Sequence, residues 1–128
     1  MRLNRGRLHL YDASSGTHRF VATDDITHCE AAKGLTTVHL EDGIWSARLR
    51  LSEIERLAPG VFLRLQRASL VNVARIRAVH VTPKWSVEID NGRRLPVAPS
   101  GEQRLIELIS AAEGFDGALF EEDAGLRM

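Results

Sequence analysis

His28 and Cys29 come closest, in this 128-residue chain, to a metal- or haem-ligating pair. They are neighbours in a run of strand-forming residues, and consecutive strand residues point to opposite faces, so the two cannot close on one ion. His39 and His80 stand alone in strand-like alternation with no liganding motif around them. Partly buried or edge histidines are expected there, and no metal site. Cys29 is the single cysteine, which excludes an internal disulfide and any Cys-x-x-Cys pair, and on an inner strand face it is expected to be unreactive. No Gly-rich phosphate loop, nucleophile elbow, His-Glu-x-x-His run or paired carboxylate motif occurs, and Ser14-Ser15 has no evident base. The expectation is a non-enzyme without a cofactor. Trp45 and Trp85 alternate with small and aliphatic residues, which favours core packing over base stacking.

What remains is charge. The chain is formally neutral, but up to Ser110 it holds 16 Lys and Arg against 12 Asp and Glu, and beyond Ser110 it holds 1 against 5. A mildly basic body precedes an acidic, Gly-rich end at 113–128, read as a solvated tail. The length and the 44% apolar content suit one core-bearing domain, placed at 1–112. The longest apolar runs fall far short of the roughly 20 residues that cross a bilayer, and Arg2, Arg5 and Arg7 are followed by alternation, not by a signal-peptide core. A cytoplasmic protein without membrane contact is expected.

The elements that must position the basic residues are mostly strands. Leu8 and Leu10, then Phe20 and Ala22, alternate with their neighbours around a turn at 12–16. Runs at 26–31 and 35–40 flank the turn Ala32-Lys33-Gly34, and Asp42-Gly43 leads into 44–50, where Trp45, Ala47 and Leu49 oppose Ser46, Arg48 and Arg50. Ser52 and Glu55 have capping-box spacing for a short helix near 52–58, stopped by Pro59-Gly60. Strands resume at 61–66, 69–73 and 75–81. Then Trp85, Val87 and Ile89 alternate up to Asn91-Gly92, a candidate type I′ turn, and 93–98 returns. Ser100 and Gln103 have the spacing to cap a helix near 100–112, ended by Gly114. The whole reads as an all-β fold of stacked antiparallel sheets with two minor helices.

The segment Phe62-Leu63-Arg64-Leu65-Gln66-Arg67-Ala68-Ser69-Leu70-Val71-Asn72 resembles the central motif of the LytTR family of bacterial transcription regulators. The likeness continues in register through Asp25-Ile26 and Glu30-Ala31, Leu51-Ser52-Glu53-Ile54-Glu55, and Asn91-Gly92-Arg93-Arg94-Leu95-Pro96-Val97, covering roughly 8–109. The resemblance implies a ten-stranded arrangement of antiparallel sheets that reads duplex DNA with loop side chains in successive major grooves, at paired direct repeats. A homodimer on those repeats, and a sensory or phosphoryl-receiver domain as partner, are implied as well.

Carried over residue by residue, the family's contacts fall on Lys33 to Thr36, Leu35 among them, on Gln66 with Arg67, and on Ala98 to Ser100, and Arg64 and Arg104 join them as nearby cations. Arg67 is the candidate base reader, because a guanidinium donates two parallel hydrogen bonds to guanine O6 and N7. Gln66 would pair with adenine or hold a phosphate, and Arg64 and Lys33 are phosphate partners. Asn72 is expected to be structural, satisfying nearby backbone groups. Ala98-Pro99-Ser100 departs from the Ser-Arg of many relatives, and Ala68-Ser69 departs likewise. Weaker or differently specified DNA binding is expected, with Ser100, Arg104 and a helix N-terminus left to hold a phosphate. The competing expectation, motivated by the same departure and by the acidic end, is a divergent module of this type that binds a partner protein.

Overall fold

The computed structural model describes residues 7–112 and 114, so the acidic end expected at 113–128 lies outside the described residues apart from Gly114. Among them are ten strands and two helices. β1 (Arg7–Asp12), β2 (Thr17–Ala22), β3 (Ile26–Ala32), β4 (Leu35–Leu40) and β5 (Gly43–Ala47) precede α1 (Leu51–Leu57). β6 (Phe62–Gln66), β7 (Ser69–Asn72), β8 (Ile76–His80), β9 (Ser86–Ile89) and β10 (Arg94–Pro96) follow, and α2 (Pro99–Ser110) closes the fold. Seven strands form one antiparallel sheet in the order β2-β1-β5-β4-β3-β7-β6, and the other three form a second, β10-β9-β8. The expected stacked all-β architecture with two minor helices is the one observed.

Each face of the large sheet covers its own core. Leu8, Leu10, Val21, Ile26, Cys29, Val38, Ala47 and Leu70 gather with Leu51 and Ile54 of α1. Leu65 and Val71 instead join Trp85, Val87, Ile89 and Leu95 of the small sheet and Leu105 of α2. Adjacent residues Leu70 and Val71 enter different cores, because successive strand side chains point to opposite faces. All four residues of β7 are consequently buried. Its two central residues are apolar and enter one core each, while the buried polar residues Ser69 and Asn72 stand at its ends.

A bulge sets the facing of β3. Ile26 pairs with Leu40 and His28 with His39, so Thr27 is an extra residue in the ladder. Without it, Ile26 and Cys29 would face opposite ways, three positions apart on a strand. With it, both enter the same core, and His28 and Glu30 turn to the other face. The Thr27 hydroxyl donates to the His39 carbonyl at 2.9 Å and holds the bulge closed.

Local chemistry differs from expectation in three places. The type I′ turn lies at Lys33-Gly34, where both residues have positive φ (52° and 81°), and not at Asn91-Gly92, where only Gly92 does. At the latter, Ile89 N–H donates to the Arg93 carbonyl (3.0 Å) and Gly92 N–H to the Ile89 carbonyl (2.8 Å), giving a three-residue loop closed by a left-handed glycine. The first helix starts two residues earlier than the Ser52 frame predicts, with Arg50 at the N-cap. Glu53, not Glu55, reaches back to the N–H of Arg50 at 3.0 Å, which frees Glu55 for Arg64. The last helix has Ala98 before it and Pro99 in its first turn, no side-chain cap from Ser100, and its end at Ser110, short of Gly114.

Candidate nucleic-acid interface

Two hairpin tips and the segment after β5 surround one concavity. Gly34, Leu35 and Thr36 come from the β3–β4 hairpin, Arg48, Leu49, Arg50, Leu51 and Ser52 from the chain entering α1, and Arg64 and Arg67 from β6 and its turn. Four arginines are among the residues lining it and no Asp or Glu is. Such a lining creates a positive, partly desolvated surface, the arrangement that attracts a polyanion.

Arg67 and Ala68 form the two-residue tip between Gln66 and Ser69. The Arg67 side chain is exposed and makes no ion pair among the described residues, while its carbonyl accepts a 2.8 Å bond from Arg64 Nη1. Arg64 also donates to Glu55 Oε1 at 2.5 Å, with only 20% of its side chain exposed. Its guanidinium thus ties α1 to the tip, which leaves it less available to a phosphate than sequence reasoning supposes. The Ala31 N–H donates to the Ala68 carbonyl at 2.9 Å, fastening the tip to β3. Gln66 is half-buried beside it.

The other carried-over residues divide. Lys33 is exposed at the tip of its hairpin and Leu35 is 48% exposed beside the concavity. Thr36 is buried, and its hydroxyl donates to the Leu49 carbonyl at 2.6 Å, so it shapes the wall and offers no donor outward. Ser100 and Arg104 are exposed on α2, which packs on β6, and Arg104 Nη1 donates to the Arg64 carbonyl at 3.2 Å. Neither lines the concavity.

Sequence reasoning missed Arg48 and Arg50 as site residues. The signal was their shared face opposite Trp45, but β5 ends at Ala47, and both residues, in the segment that leads from it into α1, line the concavity. Arg48 also lies over the Tyr11 ring at 5.8 Å, where the cation meets the negative π face.

Elsewhere the expected packing roles hold. Asn72, 1% exposed, donates to the carbonyls of Ile26 (2.8 Å) and Asp24 (3.2 Å) and accepts from the Ala74 N–H (3.0 Å). Cys29 is fully buried, and burial pushes its thiol up to about 12. Trp85 is in the second core, and Trp45 packs at the edge of the first with Arg19 over its ring. His39 is not isolated, however: it faces His28 across the β3–β4 ladder and donates to Glu30 Oε1 at 2.8 Å.

Residues 16–110 match the family model described as the LytTr DNA-binding domain, and the chain belongs to that family of transcription-regulator domains. Among solved structures, it is similar to the LytTr DNA-binding domain of a methyl-accepting/DNA response regulator from Bacillus cereus. The two are 26% identical, with a TM-score of 0.74, over 86% of this chain and 98% of that one. No curated protein matches. Among the described residues, no helix is long and apolar enough to cross a membrane.

Proposed function

We propose that this chain binds duplex DNA sequence-specifically, as a cytoplasmic transcription regulator, with Arg67 reading bases in the major groove. The observation that carries this reading is the concavity between the Lys33-Gly34 and Arg67-Ala68 tips, lined by four arginines and no carboxylate. Duplex DNA is a dense line of phosphates, and side chains that neutralise it release counterions, so Arg48, Arg50 and Lys33 supply affinity and salt dependence. Arg67, unpaired and at the tip, is free to meet a base edge. Arg64 acts behind it by holding the tip, and Thr36 and Leu35 shape the wall. Gln66 is the second candidate reader. Ser100 and Arg104 on α2 give a separate phosphate contact. Binding as two copies on direct repeats, and coupling to a sensory or receiver domain, belong to the same reading.

The test is selection of bound duplexes from a random pool, followed by salt titration of the winning sequence. An enriched direct repeat is expected, with Arg67→Ala relaxing preference at one base pair at a cost of about 1–3 kcal/mol. Arg48→Ala and Arg50→Ala should instead weaken all sequences alike and each reduce the salt slope by about 1. Failure to enrich any motif, with residual binding lost at moderate salt, removes this reading and leaves a protein partner as the occupant to seek.

A further inference from the structure

We propose that His28, Glu30 and His39 form a binding site for a divalent transition-metal cation, of which Zn2+ is the natural probe. His28 and Glu30 sit on the same face of β3, and His39 is the direct ladder partner of His28 on β4. Each of the three offers one ligand atom, an imidazole nitrogen or a carboxylate oxygen, and these atoms lie within 4.8 Å of one another. Glu30 Oε1 lies 2.8 Å from His39 Nε2 and 3.6 Å from His28 Nε2. Ligand atoms about 2.0–2.2 Å from a tetrahedral ion stand roughly 3.3 Å apart, and these two separations bracket that value.

The state of His28 carries the argument. Its side chain is 1% exposed, and its Nε2 has no hydrogen-bond partner. The Thr27 hydroxyl lies 3.1 Å from His28 Nδ1 and gives its own proton to the His39 carbonyl, so its oxygen can only accept from the ring. His28 therefore carries its proton on Nδ1 and presents a bare lone pair at Nε2. That lone pair faces a carboxylate oxygen, an arrangement with no attraction in it unless a cation stands between them. A ligating histidine whose other nitrogen donates to an oxygen is the usual outer-shell support of a metal site, and Thr27 supplies it here.

On binding, the ion replaces the His39 Nε2 proton, which moves to Nδ1 of the same ring through solvent. His28 stays fixed, while the His39 ring, stacked on it with 3.9 Å between centroids and 13° between planes, must turn out of the stack so that both lone pairs meet at one ion, and the 43%-exposed Glu30 side chain follows. Two imidazoles and one carboxylate with an open fourth position suit zinc or another first-row divalent ion over calcium or magnesium. Arg93 Nη2 stands 3.7 Å from Glu30 Oε1, so the ion must displace that looser contact. The bulge at Thr27 creates the site, because it turns His28 and Glu30 away from Cys29 and onto the face of His39.

The experiment is Zn2+ titration of the full chain against a competing chromophoric chelator, with Co2+ absorption as a second readout. His9 and His18, stacked with 2.9 Å between Nε2 and Nδ1, are the competing surface pair, and His18→Ala is the control. One ion per chain is expected, with a visible Co2+ band, at least tenfold weaker binding in Glu30→Gln and in His39→Asn, and no change in His18→Ala. Unfolding temperature without metal checks that the variants fold, and added Zn2+ should raise it for the wild type and not for His39→Asn. Binding that survives both site variants or disappears with His18→Ala overturns the proposal, as does the absence of stoichiometric binding.

Discussion

Arg64 donates to the main-chain carbonyl of Arg67, three residues on, at 2.8 Å. The two arginines at the tip of β6 thus have different tasks: one guanidinium is consumed by the turn and by Glu55, and the other is left outward. Arg67→Ala should leave the unfolding midpoint almost unchanged. Arg64→Ala should lower stability by about 1–2 kcal/mol, since it removes a charged, half-buried partner from Glu55 and from a carbonyl. Arg64→Lys should recover little, because an ammonium cannot span both acceptors. Urea denaturation of the three variants checks the assignment, and equal losses for Arg64→Ala and Arg67→Ala would refute it.

Gly101 is held against β6. A Cβ built on it would stand 2.1 Å from the Leu65 carbonyl oxygen, which is main chain and cannot swing aside. Helix propensity alone favours alanine over glycine by about 1 kcal/mol. Overpacking at this contact should reverse the sign, so that Gly101→Ala destabilises by about 1–3 kcal/mol. A higher urea midpoint for the variant would mean that α2 is not seated on Leu65 as described.

Asn72 ties the end of β7 to Asp24 in the turn before β3 and to Ile26 at the start of β3, and its Oδ1 accepts from the Ala74 N–H just beyond β7, all in a buried setting. Asn72→Ala leaves two carbonyls and an N–H to find other partners, and a loss of roughly 2–4 kcal/mol is expected. Asn72→Asp should be no better, because it keeps the acceptor but removes the donor and adds a buried charge. Thermal unfolding of both variants measures this, and a neutral alanine variant would contradict the buried network.

Glu88 links the strands of the small sheet. It accepts from His80 Nε2 at 3.0 Å and from Arg77 at 2.6 and 3.0 Å, with Arg94 Nε 3.9 Å away. The His80 bond first, and Arg77 next, hold its carboxyl below the ordinary value of 4.5. A carboxyl with a lowered folded pKa stabilises fully above its unfolded value and ceases to do so as pH falls through the folded one. The deficit of Glu88→Gln relative to wild type should therefore be greatest near neutral pH and shrink below about 4.5. Unfolding midpoints of the two proteins from pH 7 to pH 3.5 test this, and a deficit that widens in acid counts against it.

Much of the architecture was legible because its causes are local. Alternation at Leu8 and Leu10, the Lys33-Gly34 tip and the long Phe62-to-Asn72 segment each draw their meaning from a few adjacent residues, and the structure places strands and turns there. The helix frames were misread by a residue or two, since Glu53 and Glu55 both had the chance to cap and only the partner Arg64, nine residues beyond Glu55, decides between them.

The sequence by itself determined the family, the strand order along the chain and the identity of the outward Arg67, because periodicity, turn residues and an ordered motif are all short-range signals. Tertiary structure alone decided which arginines share a surface. Arg48 and Arg50, beyond the end of β5 at Ala47, line the same concavity as Arg64 and Arg67 only in the folded chain. It also decided that His28 and His39 meet, through one extra residue at Thr27 that shifts the ladder. Strand register is a relation between distant segments, and one added residue turns every side chain beyond it to the other face, which no local pattern encodes.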